Sequence, residues 1–257
     1  MFLLARAKGR TTTLFKCNAA SLSSIVSPIG EPLFQKIMKF FGFKGKVTLG
    51  SAKALLHNCK AQTENQIWYN RGLIGSEFRS KHTVLLMHIW MINRRILLEG
   101  KDGKDLQECL FDELWEDTCA RIRAIGVGEL SVNKNLKDVQ GYSFRFCMEL
   151  DHAISLTQTS VKKVDNSLLI EEEKSEEERE HEVLDAMGST LWRLLYMRRE
   201  GEGVTDEHVL ELARYLRQEQ ISLCENISWT ALCDGRIQWS PLNIWQRERG
   251  RGRGREK

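Results

Sequence analysis

The sequence predicts an all-α protein: a single helical domain with an acidic disordered insertion and basic flexible ends. Apolar residues recur at helical spacing through most of the chain, which is typical of amphipathic helices. Proline is scarce, with 3 residues in 257, and short strands with regularly spaced turn signals are absent. A β-sandwich or barrel is therefore not expected. The hydrophobic share of 42% is sufficient for one core.

The N-terminal residues 1–30 have the composition of a targeting sequence. They hold four Lys/Arg, no acidic residue and a Ser/Thr-rich stretch, as mitochondrial or plastid transit peptides do. The alternative is a disordered basic arm. Residues 31–79 follow as a basic N-terminal helical region, with Phe34, Ile37 and Phe41 on one face of a helix. That helix either contacts a membrane surface or a partner, or packs on the core with a solvated Lys face.

Apolar patterns predict two helices after this basic region. Lys81–Glu99 is apolar nearly all round, which predicts a helix buried on several sides. We expect it to stop at Gly100, with residues 101–104 as the turn. A second helix is predicted over 105–125, ended by Gly126. Its apolar stripe is Phe111, Leu114, Trp115, Thr118, Ile122 and Ile125. Trp115 continues that stripe, which favours core packing over a place on a binding surface.

Three further helices complete the predicted domain. Ser131 is a suitable N-cap for the third helix. The fourth helix carries Leu184, Met187 and Leu191 at helical spacing. The fifth opens at Thr205 and has acidic residues in its first turn, where they interact favourably with the helix dipole.

Two charged segments interrupt or follow these helices. Residues 171–182 contain eight Glu and two Lys/Arg, which predicts a solvated insertion over about 157–182. A helical extension with a charged outer face is the alternative. The Arg-Gly tail, residues 246–257, is of low complexity and is expected to be disordered.

No residue pattern points to catalysis, a metal or a cofactor. Glu113, Glu116 and Asp117 resemble half of a di-metal carboxylate site, but the second helix with Glu-x-x-His is missing. The seven Cys contain no C-x-x-C pair, and neither G-x-S-x-G nor a phosphate-binding loop is present. The longest apolar run is too short to span a bilayer. We therefore expect no enzyme, no cofactor, no metal and no transmembrane segment.

The formal net charge of +3 conceals two basic ends around an acidic body. Residues 1–60 carry ten Lys/Arg and one acid, and residues 247–257 carry six bases and two acids. The basic N-terminal helix and the Arg-Gly tail are therefore candidates for contact with ribosomal RNA or with anionic lipid of the inner membrane. A solubilising tail is the simpler alternative for the Arg-Gly residues.

Six short motifs in a fixed order, between Ser80 and Leu242, carry a family resemblance. They include Leu86-Met-His88-Ile-Trp90, Leu114-Trp115-Glu116-Asp117 and Leu191-Trp192-Arg193. On these motifs the chain resembles the ubiquinol–cytochrome c chaperone family. The resemblance implies a helical domain over 80–245. It also implies family residues that are either structural or partner-binding: His88, Trp90, Trp115, Glu116, Asp117, Arg121, Trp192, Arg193, Tyr215, Arg217, Trp239 and Pro241.

The resemblance also implies a function without catalysis. A member of this family is expected to be a chaperone in the assembly of respiratory complex III, on the matrix side of the mitochondrial inner membrane and peripheral to it. It would bind newly synthesised cytochrome b together with a small helical co-chaperone, near the exit of the mitoribosome. The alternative from another class is a mitoribosome-associated RNA-binding factor that acts through its basic ends.

Overall fold

The computed structural model describes residues 48–156, 175–198 and 203–242, in which the only regular secondary structure is helical. The all-α prediction is therefore confirmed. The predicted transit peptide, the basic helix after Pro32 and the Arg-Gly tail lie outside the described residues. The helices are α1 (48–63), α2 (Ile67–Asn70), α3 (Phe78–Ile96), α4 (Gly100–Ala124), α5 (Glu129–Ser155), α6 (Glu176–Leu194), α7 (Asp206–Asn226) and α8 (Trp229–Cys233).

Helix α3 is the centre of this domain. It packs against α4, α5 and α7, and Leu86, Ile89 and Trp90 have no exposed surface. The prediction of a helix buried on several sides is confirmed, because a helix that is apolar all round needs neighbours on every side. None of the helices in the described ranges is long and apolar enough to cross a membrane.

The connection from α3 to α4 differs from the prediction. A single 3-10 turn, Leu97–Glu99, follows α3, and Gly100 at φ +62° reverses the chain. Helix α4 then begins at once, so residues 101–104 form its first turn and not a loop. The reason is Gly103: a Cβ atom there would lie 2.1 Å from the carbonyl oxygen of Ile96. The missing side chain lets the start of α4 lie directly against the end of α3.

Replacing Gly103 with alanine is therefore expected to lower the free energy of unfolding by about 2–3 kcal/mol, because backbone atoms must shift to admit the methyl group. The matched control is Gly141→Ala in α5, where an added Cβ meets nothing within 4 Å. That change should stabilise the protein by up to about 1 kcal/mol. Urea denaturation of both variants checks the pair, and equal effects would contradict the close approach of α3 and α4.

Helices α4 and α5 form an antiparallel pair joined by residues 125–128. The buried stripe of α4 differs in part from the predicted one and comprises Leu106, Leu110, Leu114, Thr118 and Ile122. Phe111 and Trp115 are half-buried at the edge of the core, so the favoured core position of Trp115 is not what the structure shows. Ile125 is 60% exposed. Periodicity identified the helix and three residues of its buried side, Leu114, Thr118 and Ile122, but not the edges of that side.

Helix α5 begins three residues earlier than predicted. Gly128 is its N-cap, and Ser131 lies inside the first turn. The Glu129 carboxylate accepts hydrogen bonds from Arg123 at 2.7 and 2.9 Å. This ion pair spans the short connection between α4 and α5. Because α5 already begins at Glu129, Ser131 has no capping role.

Side-chain capping boxes begin α6 and α7. In α6 the Ser175 hydroxyl accepts from the backbone N–H of Glu178, whose side chain in turn accepts from the backbone of Ser175. Thr205 and His208 do the same at the start of α7, which confirms the predicted N-cap. Three glutamates in the first turn of α6 lie near the positive end of its dipole. Residues 176–182 are thus helical, the alternative stated for the acidic segment, and 157–174 lie outside the described residues.

Candidate binding surface and the contacts that hold it

A polar network joins α4 to α1 through Asp117. Its Oδ1 accepts a hydrogen bond from Lys60 Nζ at 2.5 Å, and its Oδ2 accepts from Arg121 Nε at 2.7 Å. Burial alone would raise the pKa of the Asp117 carboxyl, but the two cations outweigh it and hold that pKa below its usual value. The carboxylate is therefore charged and fixes the register of α4 against α1.

Arg121 carries the same network on to α3 and α5. Its Nη2 donates to His82 Nδ1 at 3.1 Å, and His82 Nε2 lies 3.0 Å from Ser143 Oγ. Because arginine can only donate, Nδ1 is the acceptor and the ring proton is on Nε2. Burial, aided by the Arg121 charge, lowers the pKa of His82 to about 3. A neutral His82, near the start of α3, thus connects α4 to α5.

Trp90 makes the second link between α3 and α5. The ring is fully buried, and its Nε1 donates to Asp151 Oδ1 at 3.0 Å. Arg94 Nη1 lies 3.5 Å from the same oxygen. A buried indole that keeps its hydrogen bond packs without a penalty for the polar atom.

An aromatic cluster surrounds His88 in the core. Trp239 packs edge-on against the imidazole with ring centroids 4.7 Å apart, and Trp68 does so at 5.6 Å. Tyr215 of α7 lies 5.4 Å from Trp68. The contacts bring together α2, α3, α7 and the C-terminal residues 234–242. Three of the family residues, far apart in sequence, therefore form one structural cluster.

His88 is neutral in this cluster. Its Nδ1 lies 2.7 Å from the carbonyl oxygen of Val84, so Nδ1 carries the proton and donates. Burial lowers the pKa of His88 to about 4, against a smaller opposing effect of the Val84 bond. Nε2 has no hydrogen-bond partner within the described part of the chain.

Asn58 of α1 fastens the C-terminal residues over the cluster. Its Nδ2 donates to the carbonyl oxygen of Ile237 at 3.1 Å, and its Oδ1 accepts from Trp239 Nε1 at 2.6 Å. The backbone N–H of Ser240 donates to Glu219 of α7 at 3.3 Å. The Trp239 motif thus has a structural role, because it covers the aromatic cluster. Pro241, two residues further on, is exposed.

Two arginines of the family motifs tie α6 to its neighbours. Arg193 Nη2 donates to Glu149 Oε2 of α5 at 2.7 Å. Arg217 of α7 donates through Nε and Nη2 to the carboxylate of Glu180 at 3.0 and 3.1 Å. Glu180 belongs to the acidic segment, so part of that segment is paired and structural. Trp192 is half-buried beside Tyr196.

One apolar face of the domain is partly exposed among the described residues. Trp115 lies 6.1 Å from Phe111 on α4 and 6.0 Å from Phe144 on α5, measured between ring centroids. Phe144 is 45% exposed and Met148, one turn further on α5, is 55% exposed. We call Phe111, Trp115, Phe144 and Met148 the α4–α5 face. Such a patch of aromatic and Met side chains is typical of a polypeptide-binding surface.

Sequence reasoning placed Phe111 and Trp115 on the apolar stripe of α4 and favoured the core for Trp115, so it did not identify this face. Phe144 and Met148 belong to no family motif and lie off the apolar stripe of α5. Their spacing of four residues, on the opposite side of the helix from Phe146 and Leu150, is the signal that could have found them. Among the residues described, no group of three or more His, Cys, Asp or Glu is placed to hold a metal. The partly exposed aromatic and Met side chains of the α4–α5 face can bind an apolar segment of a polypeptide.

Comparison with known proteins agrees with this picture. Residues 74–164, which include α3, α4 and α5, match the family described as "Ubiquinol-cytochrome C chaperone". A human protein named ubiquinol-cytochrome c reductase complex assembly factor 1 is 22% identical over 242 residues, spanning 91% of this chain and 70% of its own length. The mouse protein of that name is 22% identical over 224 residues, spanning 84% of this chain and 66% of its own length.

A solved structure shows the same fold. The crystal structure of the Cbp3 homolog from Brucella abortus superposes with a TM-score of 0.59 and 19% identity, covering 79% of this chain and 96% of that one. The family match, the named relatives and the motif residues packed around α3 support one assignment. Over residues 74–164 the chain is similar to the ubiquinol–cytochrome c chaperone family, and along most of its length it is similar to relatives named as assembly factors of ubiquinol–cytochrome c reductase.

Proposed function

We propose that this chain is an assembly chaperone for ubiquinol–cytochrome c reductase, respiratory complex III. The observation that carries the proposal is the family match over residues 74–164, because that segment contains the whole α4–α5 face. The human and mouse relatives are named as assembly factors of the same complex. The chain would act by binding a polypeptide and not by catalysis.

The client we propose is newly synthesised cytochrome b, bound together with a small helical co-chaperone. Cytochrome b is an apolar membrane protein, and its helices need shelter until partner subunits are in place. An aromatic and Met-rich face can adapt to apolar helices of varied sequence. The Asp117–Arg121–His82 network and the His88 cluster would hold that face rigid, so that little entropy is lost on binding.

The location follows from the same proposal. An assembly factor for complex III would work in mitochondria, on the matrix side and peripheral to the inner membrane, near the mitoribosomal exit. Residues 1–30 would be the transit peptide and 80–245 the chaperone domain. The RNA-binding alternative depends on basic ends that lie outside the described residues, and no observation favours it.

The proposal is tested by removing the chain from cells of its source organism. We expect complex III to be lost or strongly reduced on native gels, and the ATP synthase to be unchanged. Re-expression of the full chain should restore complex III. Normal complex III in cells that lack the chain would contradict the proposed function.

A further inference from the structure

We infer that the α4–α5 face receives an amphipathic helix of a partner protein, oriented so that Lys or Arg residues of that helix lie along the outer edge of α4. The inference rests on the proposed function, namely that the chain acts by binding a polypeptide. It goes further in naming the face, the shape of the ligand and the sign of its charge.

The apolar part of the face consists of two short rows of large side chains, one on α4 and one on α5. Phe111 and Trp115 are one turn apart on α4, and Phe144 and Met148 are one turn apart on α5. The contact between Trp115 and Phe144 connects the two rows. Four large side chains in two parallel rows match the spacing of anchors that a helix presents at i, i+3 or i+4, and i+7.

A row of acids borders the face along α4. Glu108, Asp112 and Glu116 follow one another at intervals of four residues, and all three are exposed. At that spacing on one helix, like charges repel. Across the described ranges, no ion pair involves any of the three. Cations from another molecule would relieve this repulsion.

The opposite edge of α4 shows the arrangement that satisfies such acids. There Glu113 lies 3.8 Å from Lys53, and Asp117 lies 2.5 Å from Lys60. Both lysines are on α1, seven residues apart and hence on one helix face. Helix α4 thus has one acidic edge already paired with a basic amphipathic helix. Its other acidic edge adjoins the exposed aromatic residues.

On the α5 side of the α4–α5 face, the charged residues near Phe144 do not form a row of one sign like the acidic row of α4. Arg145, next to Phe144 in sequence, donates to Glu149 at 2.9 Å. Lys137 lies seven residues before Phe144, towards the connection to α4. The charge that orients an incoming helix is therefore the acidic row of α4.

The test uses two synthetic peptides of about 18 residues with the same Leu stripe at helical spacing. One carries Lys beside the stripe and the other carries Glu. Binding to the full chain is measured by fluorescence anisotropy. We expect the Lys peptide to bind about tenfold more tightly, as three exposed ion pairs provide. The advantage should shrink as salt is added.

A charge reversal makes the test specific to this edge. The triple variant Glu108→Lys, Asp112→Lys and Glu116→Lys should prefer the Glu peptide. The variant Phe144→Ser should lose at least about tenfold in affinity for the Lys peptide. Its control is Leu130→Ser, since Leu130 is fully exposed outside the face and should bind as wild type does. Circular dichroism and the thermal midpoint establish that each variant is folded.

Three results would overturn the inference. One is equal affinity of the chain for the Lys peptide and the Glu peptide. Another is equal binding by the Phe144 and Leu130 variants. The third is a dimer of this chain, seen by light scattering and abolished by Phe144→Ser, which would assign the face to a second copy. If cytochrome b still co-purified with the chain in any of these cases, the proposed function would not be contradicted.

Discussion

Replacing Trp90 with alanine is expected to lower the free energy of unfolding by about 3–5 kcal/mol, the range observed for a buried large aromatic residue. Trp90 has no exposed surface at the centre of α3. The change leaves a cavity there and removes the Nε1 hydrogen bond to Asp151 of α5. Denaturation in guanidinium chloride, with an unchanged m-value, measures the loss.

Trp115→Ala is the matched control for this prediction. The residue type is the same, but the ring lies at the edge of the core, in contact with the partly exposed Phe144. We expect a cost of about 1 kcal/mol, because much of the transfer and cavity penalty is absent. A cost equal to that of Trp90→Ala would show that Trp115 is a core residue, and the α4–α5 face would then lose its central member.

Acidification from pH 7 to pH 5 is expected to destabilise the protein by several kcal/mol. Burial lowers the pKa of His82 to about 3 and that of His88 to about 4. The unfolded chain takes up a proton at each histidine below about pH 6.5, and the folded protein does not. Stability is therefore complete above that pH and falls as the pH decreases, by about 2 kcal/mol per histidine at pH 5.

Replacing one of the two buried histidines measures its contribution to the loss of stability between pH 7 and pH 5. His88→Phe should remove about half of the loss between pH 7 and pH 5, since a phenyl ring cannot take up a proton in either state. His57→Gln, exposed on α1, should retain the full dependence. Urea denaturation at both pH values gives the comparison. A free energy of unfolding that stays constant from pH 7 to pH 5 in the wild type would contradict the burial of both imidazoles.

The sequence predicted helices where local signals were strong. The apolar run around Trp90 marked the buried α3, and Thr205 with its acidic neighbours marked the start of α7. Residues 101–104 read as a turn because Lys, Asp and Gly are common in turns. They are helical because Gly103 permits a close contact with Ile96, and a tertiary contact is not visible in local sequence.

The candidate site, like the α3–α4 connection, could be predicted only in part, because its contacts join residues far apart in the sequence. The motifs identified Arg193, Arg217 and Trp239 but not their partners, since Glu149, Glu180 and Asn58 lie 44, 37 and 181 residues away in the chain. Whether a half-apolar helix turns a given residue inward depends on the neighbouring helix. Trp115 extends the predicted stripe of α4, yet its ring is only half-buried where it meets Phe144 of α5.

We proposed that the chain binds newly made cytochrome b, and capture of that protein from mitochondria tests the proposal. Translation products of isolated mitochondria are pulse-labelled, and the tagged full chain is purified under native conditions. We expect labelled cytochrome b in the eluate of wild type and of Leu130→Ser. A wild-type eluate without cytochrome b, or one that holds all mitochondrial translation products equally, would contradict it.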